Sequence, residues 1–231
     1  MIMLKRILKR IGIFLLGCFL FSIVITIIYR FVPVPITPLM VIRMWEQARE
    51  DDREVRLVKT WKSLEHISRH LPQAVYAGED QKFLIHSGFD REAIEKALEG
   101  NKAGKKMKGG STISQQTAKN VFLWPARNYF RKGLEAYFTV LIELFWSKER
   151  IMEVYLNVIE LGDGVYGVEA AAQTFYGKPA AEITRHEAAM LAAIVPGPLM
   201  WNPKKPTGYN RQRQSWILRQ MSNLEPVGFG K

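Results

Sequence analysis

One cysteine in 231 residues excludes a disulfide framework and a cysteine-rich zinc site. Gly 17 and Pro 11 are far too few for a collagen-like or low-complexity chain. No serine opens an S-x-x-K motif, and neither G-x-S-x-G nor H-E-x-x-H occurs. Penicillin-type acyl transfer, serine-hydrolase and zinc-peptidase chemistry therefore lack their signatures. Runs of alternating strands and internal repeats are missing too, which favours a helical domain. Acidic residues are the scarcer charge, Asp+Glu 22 against Lys+Arg 33, and the formal net charge of +11 calls for an anionic partner. Nucleic acid, anionic lipid and a phosphorylated substrate all satisfy that charge. What is present is a 48% hydrophobic composition, enough for one or two domains with a sizeable core.

The N-terminus carries the first strong pattern. Lys5, Arg6, Lys9 and Arg10 precede an uncharged stretch from Ile11 to Ile28, closed by Tyr29 and Arg30. As a helix the stretch is about 27 Å long, close to a hydrocarbon core of about 30 Å. The expected plan is a basic tail (1–10), a transmembrane helix (11–29), a proline-rich connector (30–41) and a globular domain (42–231). The cations place the tail in the cytoplasm and the domain outside it. A cleaved signal peptide fits less well, because the run is long and no small-x-small site ends it. Leu15-Leu16-Gly17-Cys18 resembles a lipoprotein site only faintly, since ten mostly apolar residues follow. Cys18 reads as a small residue facing lipid.

In the globular part, helical patterns are expected over about 42–68, from an Asp90 cap to Leu98 with Gly100 as its stop, and from a Ser111 cap to Phe122. Others cover 128–146, 148–159, a Thr184-x-x-Glu187 capping box running to just before Pro196, and 210–224. A Gly/Lys loop spans Gly100 to Gly110.

Three constellations offer chemistry. Glu79-Asp80 pairs adjacent acids, whose repulsion suits one of them to general-base work. A solvated acidic pair gives the same spacing, and His86 reads as a structural histidine. Gly109-Gly110 precedes a helix start whose backbone N–H groups can hold a phosphate. Ser111, Gln115 and Lys119, four apart, would share one face of that helix. A nucleotide P-loop is excluded there, because Gly110 stands where the lysine belongs and no strand precedes it. Arg131-Lys132-x-x-Glu135 sets two cations one turn before a carboxylate, either an anion clamp or a surface salt-bridge cluster. His66 and His70, at i and i+4, read as a helix surface pair with nothing nearby to complete a metal site. Val121-Phe122-Leu123-Trp124 is an apolar run before Pro125 and Arg127, suited either to core packing or to a second membrane contact.

In order along the chain, Glu79-Asp80-x-x-Phe83-x-x-His86-x-Gly88-x-Asp90, Gly109-Gly110-Ser111-Thr112-Ile113-x-Gln115-Gln116-x-x-Lys119-Asn120 and Arg131-Lys132-x-x-Glu135 resemble the first three motifs of the family 51 glycosyltransferases that polymerise peptidoglycan. Lys148-Glu149-Arg150-Ile151-x-Glu153-x-Tyr155-Leu156-Asn157 resembles the fourth, while Gly164-Val165-Tyr166-Gly167 and Trp201-Asn202-Pro203 fit later elements. The similarity covers about Ala74 to Pro203 and is closest to the monofunctional biosynthetic peptidoglycan transglycosylases. It implies an all-α, lysozyme-like domain with a small second lobe around the Gly/Lys loop. It also implies lipid II and the growing glycan chain as substrates, with inversion at C1 and release of undecaprenyl pyrophosphate. By motif position, Glu79 and Glu135 are the implied catalytic residues, Glu79 as the base. Lys119, Arg127, Arg131 and Lys132 would hold pyrophosphate, helped by Ser111 and Gln115, and Glu135 would support the donor site or leaving group either through these cations or through a divalent cation (Mg or Mn), with no cofactor certain. The implied setting is the bacterial inner membrane, among membrane lipids and cell-wall synthesis proteins that include a separate transpeptidase, with no nucleic acid. A lysozyme-type hydrolase and a non-enzymatic basic scaffold are the competing functions.

Overall fold

A computed structural model of the chain describes residues 2–50, 54–95, 110–126 and 128–229. The Gly/Lys loop with its lobe, the Gly100 stop and Arg127 lie outside these residues.

Helix α1 (Ile2–Phe31) runs without interruption through both the basic tail and the apolar stretch. At about 1.5 Å per residue it is long enough to cross a bilayer. It is also fastened to the rest of the molecule. Ser22 Oγ lies 2.7 Å from the Tyr137 hydroxyl, and the Trp146 indole N–H donates to the Thr26 carbonyl at 2.7 Å. Arg150 donates to the Tyr29 carbonyl from Nε (3.1 Å) and Nη2 (2.8 Å), and to that of Val32. The last carbonyls of a helix have no intrahelical partners, so a guanidinium is a natural clasp for them.

The connector is shorter than the prolines imply. Thr37 caps α2 (Pro38–Gln47), with Pro38 in its first turn. Val34 is fully buried, so the extended segment is docked rather than free. The helix expected over 42–68 ends at Gln47. That side chain is buried, donates to Asp163 (2.9 Å) and accepts from the Arg56 N–H (2.8 Å), which turns the chain toward a hairpin. There β1 (Val58–Lys59) pairs in parallel with β3 (Val165–Tyr166), and β2 (Glu160–Gly162) pairs antiparallel to β3, in the order β1-β3-β2. Tertiary hydrogen bonds thus override a helical pattern and add a small sheet that periodicity does not show. His66 sits in a 3-10 turn (Leu64–His66) and His70 opens α3 (His70–Glu79), so they are not a pair on one helix face.

Asp90 caps as expected, its carboxylate accepting the Ala93 N–H at 3.1 Å ahead of helical residues 91–95. The next cap is Thr112 rather than Ser111: α4 (Ile113–Phe122) opens with a Thr112/Gln115 capping box. Helices α5 (Tyr129–Phe145, capped by Asn128), α6 (Lys148–Val158, capped by Ser147), α8 (Arg185–Ile194, with the Thr184/Glu187 box) and α9 (Gly208–Asn223) follow the expected boundaries closely. Helix α7 (Val168–Tyr176) is additional.

Helix α6 forms the centre of the core. Ile151, Met152, Val154, Tyr155, Leu156 and Val158 are all fully buried, forming the broad apolar face of an amphipathic helix whose other side carries Glu149, Arg150 and Glu153. Helices α3 and α9 pack on α8, whose alanines 188, 189, 192 and 193 keep that interface thin. Gly78 allows α9 to approach α3: a Cβ there would lie 3.1 Å from Ile217 Cδ1. This contact brings α9 beside Glu79.

Candidate active site

Glu79 is the last residue of α3 and lies in a cleft of about 800 Å³ lined also by Gly78, Ser111, Gln116 and the exposed face of α9. Its side chain is only 11% exposed. Gln116 Nε2 donates to Oε2 at 2.9 Å, and Arg213 Nη2 donates to Oε1 at 2.8 Å. Burial pushes the Glu79 carboxyl above the ordinary 4.5, while Gln116, Arg213 and Lys119 oppose the rise. The cause is desolvation and not the neighbouring acid. Asp80 serves structure instead: its carboxylate accepts from His86 Nε2 (2.9 Å) and from the Ile113 N–H (3.0 Å). His86 Nδ1 in turn accepts the Gly88 N–H at 3.1 Å, so the ring is the structural histidine expected, with its proton on Nε2. Gly88 needs φ of 88°, and a Cβ there would fall 2.8 Å from Thr139 Cγ2, so this motif glycine is held by sterics.

The start of α4 is less available to a phosphate than the two glycines imply. The Thr112 N–H goes to Gln115 Oε1, the Ile113 N–H to Asp80 and the Gln115 N–H to Thr112 Oγ1. Gln115 is accordingly buried in the cap and does not join Ser111 and Lys119 on one surface. Its neighbour Gln116 turns into the cleft. The Tyr155 hydroxyl donates to Gln116 Oε1 at 3.1 Å, which leaves Nε2 facing Glu79. Tyr155 is fully buried, and burial, followed by the Glu79 charge, raises its hydroxyl well above 10, so it stays a donor.

The cations gather around Glu135. Arg131 Nη1 donates to Glu135 Oε2 at 2.7 Å and Lys132 Nζ bonds Oε1, with Glu135 only 3% exposed. This is a partly buried clamp and not a surface salt bridge. Arg131 Nε is buried with no partner among the described residues, an unfilled donor in a cationic site. Lys132 also reaches Ser111 Oγ at 3.5 Å. Lys119 joins the two carboxylates electrostatically. Burial lowers its ammonium below the usual 10.5, Glu135 and then Glu79 work against that, and Arg131 and Lys132 add to it. Lys119 and Arg131 also line a second hollow of about 330 Å³ with Leu39, Arg43, Trp124 and Glu160.

Glu79, Ser111, Lys119, Arg131, Lys132 and Glu135 are therefore assembled into one region, Gln115 is diverted to a helix cap, and Arg127 lies outside the described residues. Gln116, Tyr155 and Arg213 are additional. Among the described residues no cluster of three His, Cys, Asp or Glu side chains is placed to hold a metal, and both Glu135 oxygens already face cations. Phe122 is partly buried against the core and stacks on Phe138 with centroids 4.4 Å apart. Trp124, Tyr129 and Phe130 are exposed.

Comparison with known proteins follows the same outline. A family profile described as Transglycosylase matches residues 48–222. A biosynthetic peptidoglycan transglycosylase of Caulobacter vibrioides is 56% identical over 195 residues, covering 84% of this chain and 82% of the relative. Proteins of the same name from Bacteroides thetaiotaomicron and Pseudomonas putida are 51% and 49% identical, each covering 96% of this chain, with 89% and 94% of the relatives covered.

Proposed function

The chain belongs to the transglycosylase family and is a peptidoglycan glycosyltransferase; from that premise we propose that it polymerises lipid II with Glu79 as general base. The observation that carries this is Glu79 itself. It is a carboxylate in an open cleft, oriented by Gln116 and Arg213, and the buried Lys119 ammonium interacts electrostatically both with it and with Glu135 of the clamp.

The reaction joins the 4-OH of an acceptor sugar to C1 of a donor whose pyrophosphate departs on the opposite face. An alcohol is a poor nucleophile until its proton is drawn away as the bond forms. A carboxylate above its ordinary range accepts that proton more readily near neutral pH, and such assistance contributes about 10²–10⁴-fold. Gln116, fixed by Tyr155, keeps one Glu79 oxygen occupied so that the carboxylate holds one orientation. Negative charge develops on the departing pyrophosphate. Lys119, Arg131 and Lys132 would receive it, and fixed cations in a partly buried site act without reorganising. Glu135 holds Arg131 and Lys132 in that arrangement rather than reacting.

The anchor keeps the site beside a substrate confined to the bilayer. The placement of Lys5, Arg6, Lys9 and Arg10 supports a bacterial inner-membrane protein with its N-terminus in the cytoplasm and its domain outside. A separate transpeptidase is the partner this reading requires for cross-linking. The test is to give the purified full-length protein labelled lipid II and, separately, finished glycan. Elongation of lipid II supports the proposal. Shortening of finished strands without elongation would instead assign a hydrolase, whose neutral leaving group needs no cation clamp.

A further inference from the structure

The chain leaving α1 is gripped by its backbone from two elements of the domain. Arg150, in the first turn of α6, donates from Nε and Nη2 to the Tyr29 carbonyl and from Nη2 to that of Val32. Lys59 of β1 donates from Nζ to the Val34 carbonyl at 2.8 Å. Both cations also lie over the Trp61 ring, at 5.1 Å and 5.4 Å from its centroid. Glu153 fixes the guanidinium, bonding Nη1 while it accepts the Leu64 N–H at 3.2 Å.

A flexible tether would leave these carbonyls to water. Here Arg150 is only 13% exposed, and Thr26 and Val34, on either side of the grip, are fully buried. A guanidinium on the last carbonyls of a helix also faces the negative end of its dipole. The same anchor meets α5 further in, where Ser22 bonds Tyr137. Tyr137 stands two residues beyond Glu135 on that helix. The level of the Arg131–Lys132–Glu135 clamp along the anchor is thereby fixed.

We propose that Arg150, assisted by Lys59, is a positioning residue that locks α1 and the domain into one rigid body. It thereby sets the height and tilt at which the cation clamp meets a pyrophosphate held at the bilayer surface. The inference rests on the glycosyltransferase reading of the site. A lipid-linked pyrophosphate has its height fixed by its tail, so the site must be fixed to match, and a misplacement of about 1 Å can cost about 100-fold. The tilt of a membrane helix follows from its packing and its interfacial anchors, and Arg150 supplies both. A substrate dissolved in water has no such height and makes no demand on the clasp. Arg150 touches no reacting group, and the core face of α6 holds Tyr155 without it.

The experiment uses the full-length protein in nanodiscs. Spin labels on the native Cys18, which is exposed, and on Ser215→Cys in α9 report the distance between anchor and domain by pulsed electron resonance. In parallel, the unlabelled protein polymerises two substrates: undecaprenyl lipid II in the bilayer and a short-chain, water-soluble lipid II analogue. The wild type should give one narrow distance distribution. Arg150→Ala should broaden it, the Arg150→Ala/Lys59→Ala double variant should broaden it further, and Arg150→Lys should lie between. On bilayer lipid II, Arg150→Ala should lower kcat/KM by about tenfold, mainly through KM, with the soluble analogue turned over within about twofold of the wild type. A narrow, wild-type distribution in the double variant overturns the proposal, as do wild-type rates on bilayer lipid II. Equal losses on both substrates, accompanied by a lower Tm, also overturn it, because they assign Arg150 to stability alone. A wild type that polymerises neither substrate counts against the glycosyltransferase reading, and the distance distributions then still support or overturn the rigid clasp.

Discussion

Replacing Arg213 by glutamine tests how the base is tuned. Arg213 Nη2 donates to Glu79 Oε1 at 2.8 Å and also reaches the Gly78 carbonyl at 3.2 Å. Charge centres about 4 Å apart in an effective dielectric of about 20 attract by about 4 kcal/mol. The Arg213 side chain is 21% exposed, so solvent screens part of that, and a guanidinium beside a carboxylate ordinarily lowers its pKa by about 1–3 units. Loss of the cation disfavours ionised Glu79, so its pKa rises further above 4.5, the direction in which burial already pushes it. The base must be ionised to accept the hydroxyl proton. The acid limb of kcat/KM against pH should therefore move upward in Arg213→Gln, with activity lost below the limb. Well above the limb, activity should recover toward the plateau, and Arg213→Lys should return the limb most of the way. The assay is initial-rate polymerisation of labelled lipid II from pH 5 to 9. An acid limb at the wild-type pH in Arg213→Gln would refute the reasoning.

Further outcomes follow from other contacts. Lys119→Ala and Arg131→Ala should each lower turnover by about 10- to 100-fold, the range for losing a charge-assisted bond, and wild-type rates in both would return these residues to a structural role. The alkaline limb should fall at lower pH than for a free lysine, since burial lowers Lys119 below 10.5, and a Lys119→Arg enzyme should extend it upward; identical limbs would remove Lys119 from the titration. Arg150→Ala frees the Tyr29 and Val32 carbonyls and should speed proteolysis near Pro33 while α6 stays folded by circular dichroism; unchanged cleavage would show that the clasp is dispensable. Tyr137 meets Ser22, about 10 Å of helix inward from Tyr29, so the exposed Phe130 should lie in lipid. A spin label at Phe130→Cys in a Cys18→Ser background should collide with oxygen more than with an aqueous nickel chelate, and preferential contact with the chelate would place that face in water.

Much of this was legible in the residues because the relevant signals are local. The cap at Asn128, the box at Thr184 and the apolar spacing of α5 are written within one or two helical turns. The Arg131–Lys132–Glu135 clamp is readable for the same reason, since i+3 and i+4 neighbours must meet on a helix. Gln115 shows a local signal set aside: Thr112-x-x-Gln115 is a capping-box pattern, and it commits that glutamine to the helix end, leaving Gln116 for the cleft. The rest is non-local. Arg213 meets Glu79 across 134 residues, and nothing in its own neighbourhood marks it. The early end of α2 and the strand at Val58–Lys59 depend on Asp163 and β3, more than a hundred residues away. Burial of Glu79, which sets its proton affinity, exists only once α3, α4 and α9 have closed around it.

The central claim is that Glu79 draws the proton from the attacking hydroxyl, and the most direct measurement is polymerisation of labelled lipid II by full-length Glu79→Gln. Glutamine fills the same space without accepting a proton. The rate should fall by at least about 100-fold, with an unchanged helical spectrum and a Tm within a few degrees of the wild type. A correctly folded Glu79→Gln enzyme that elongates lipid II at near-normal rates would contradict the account.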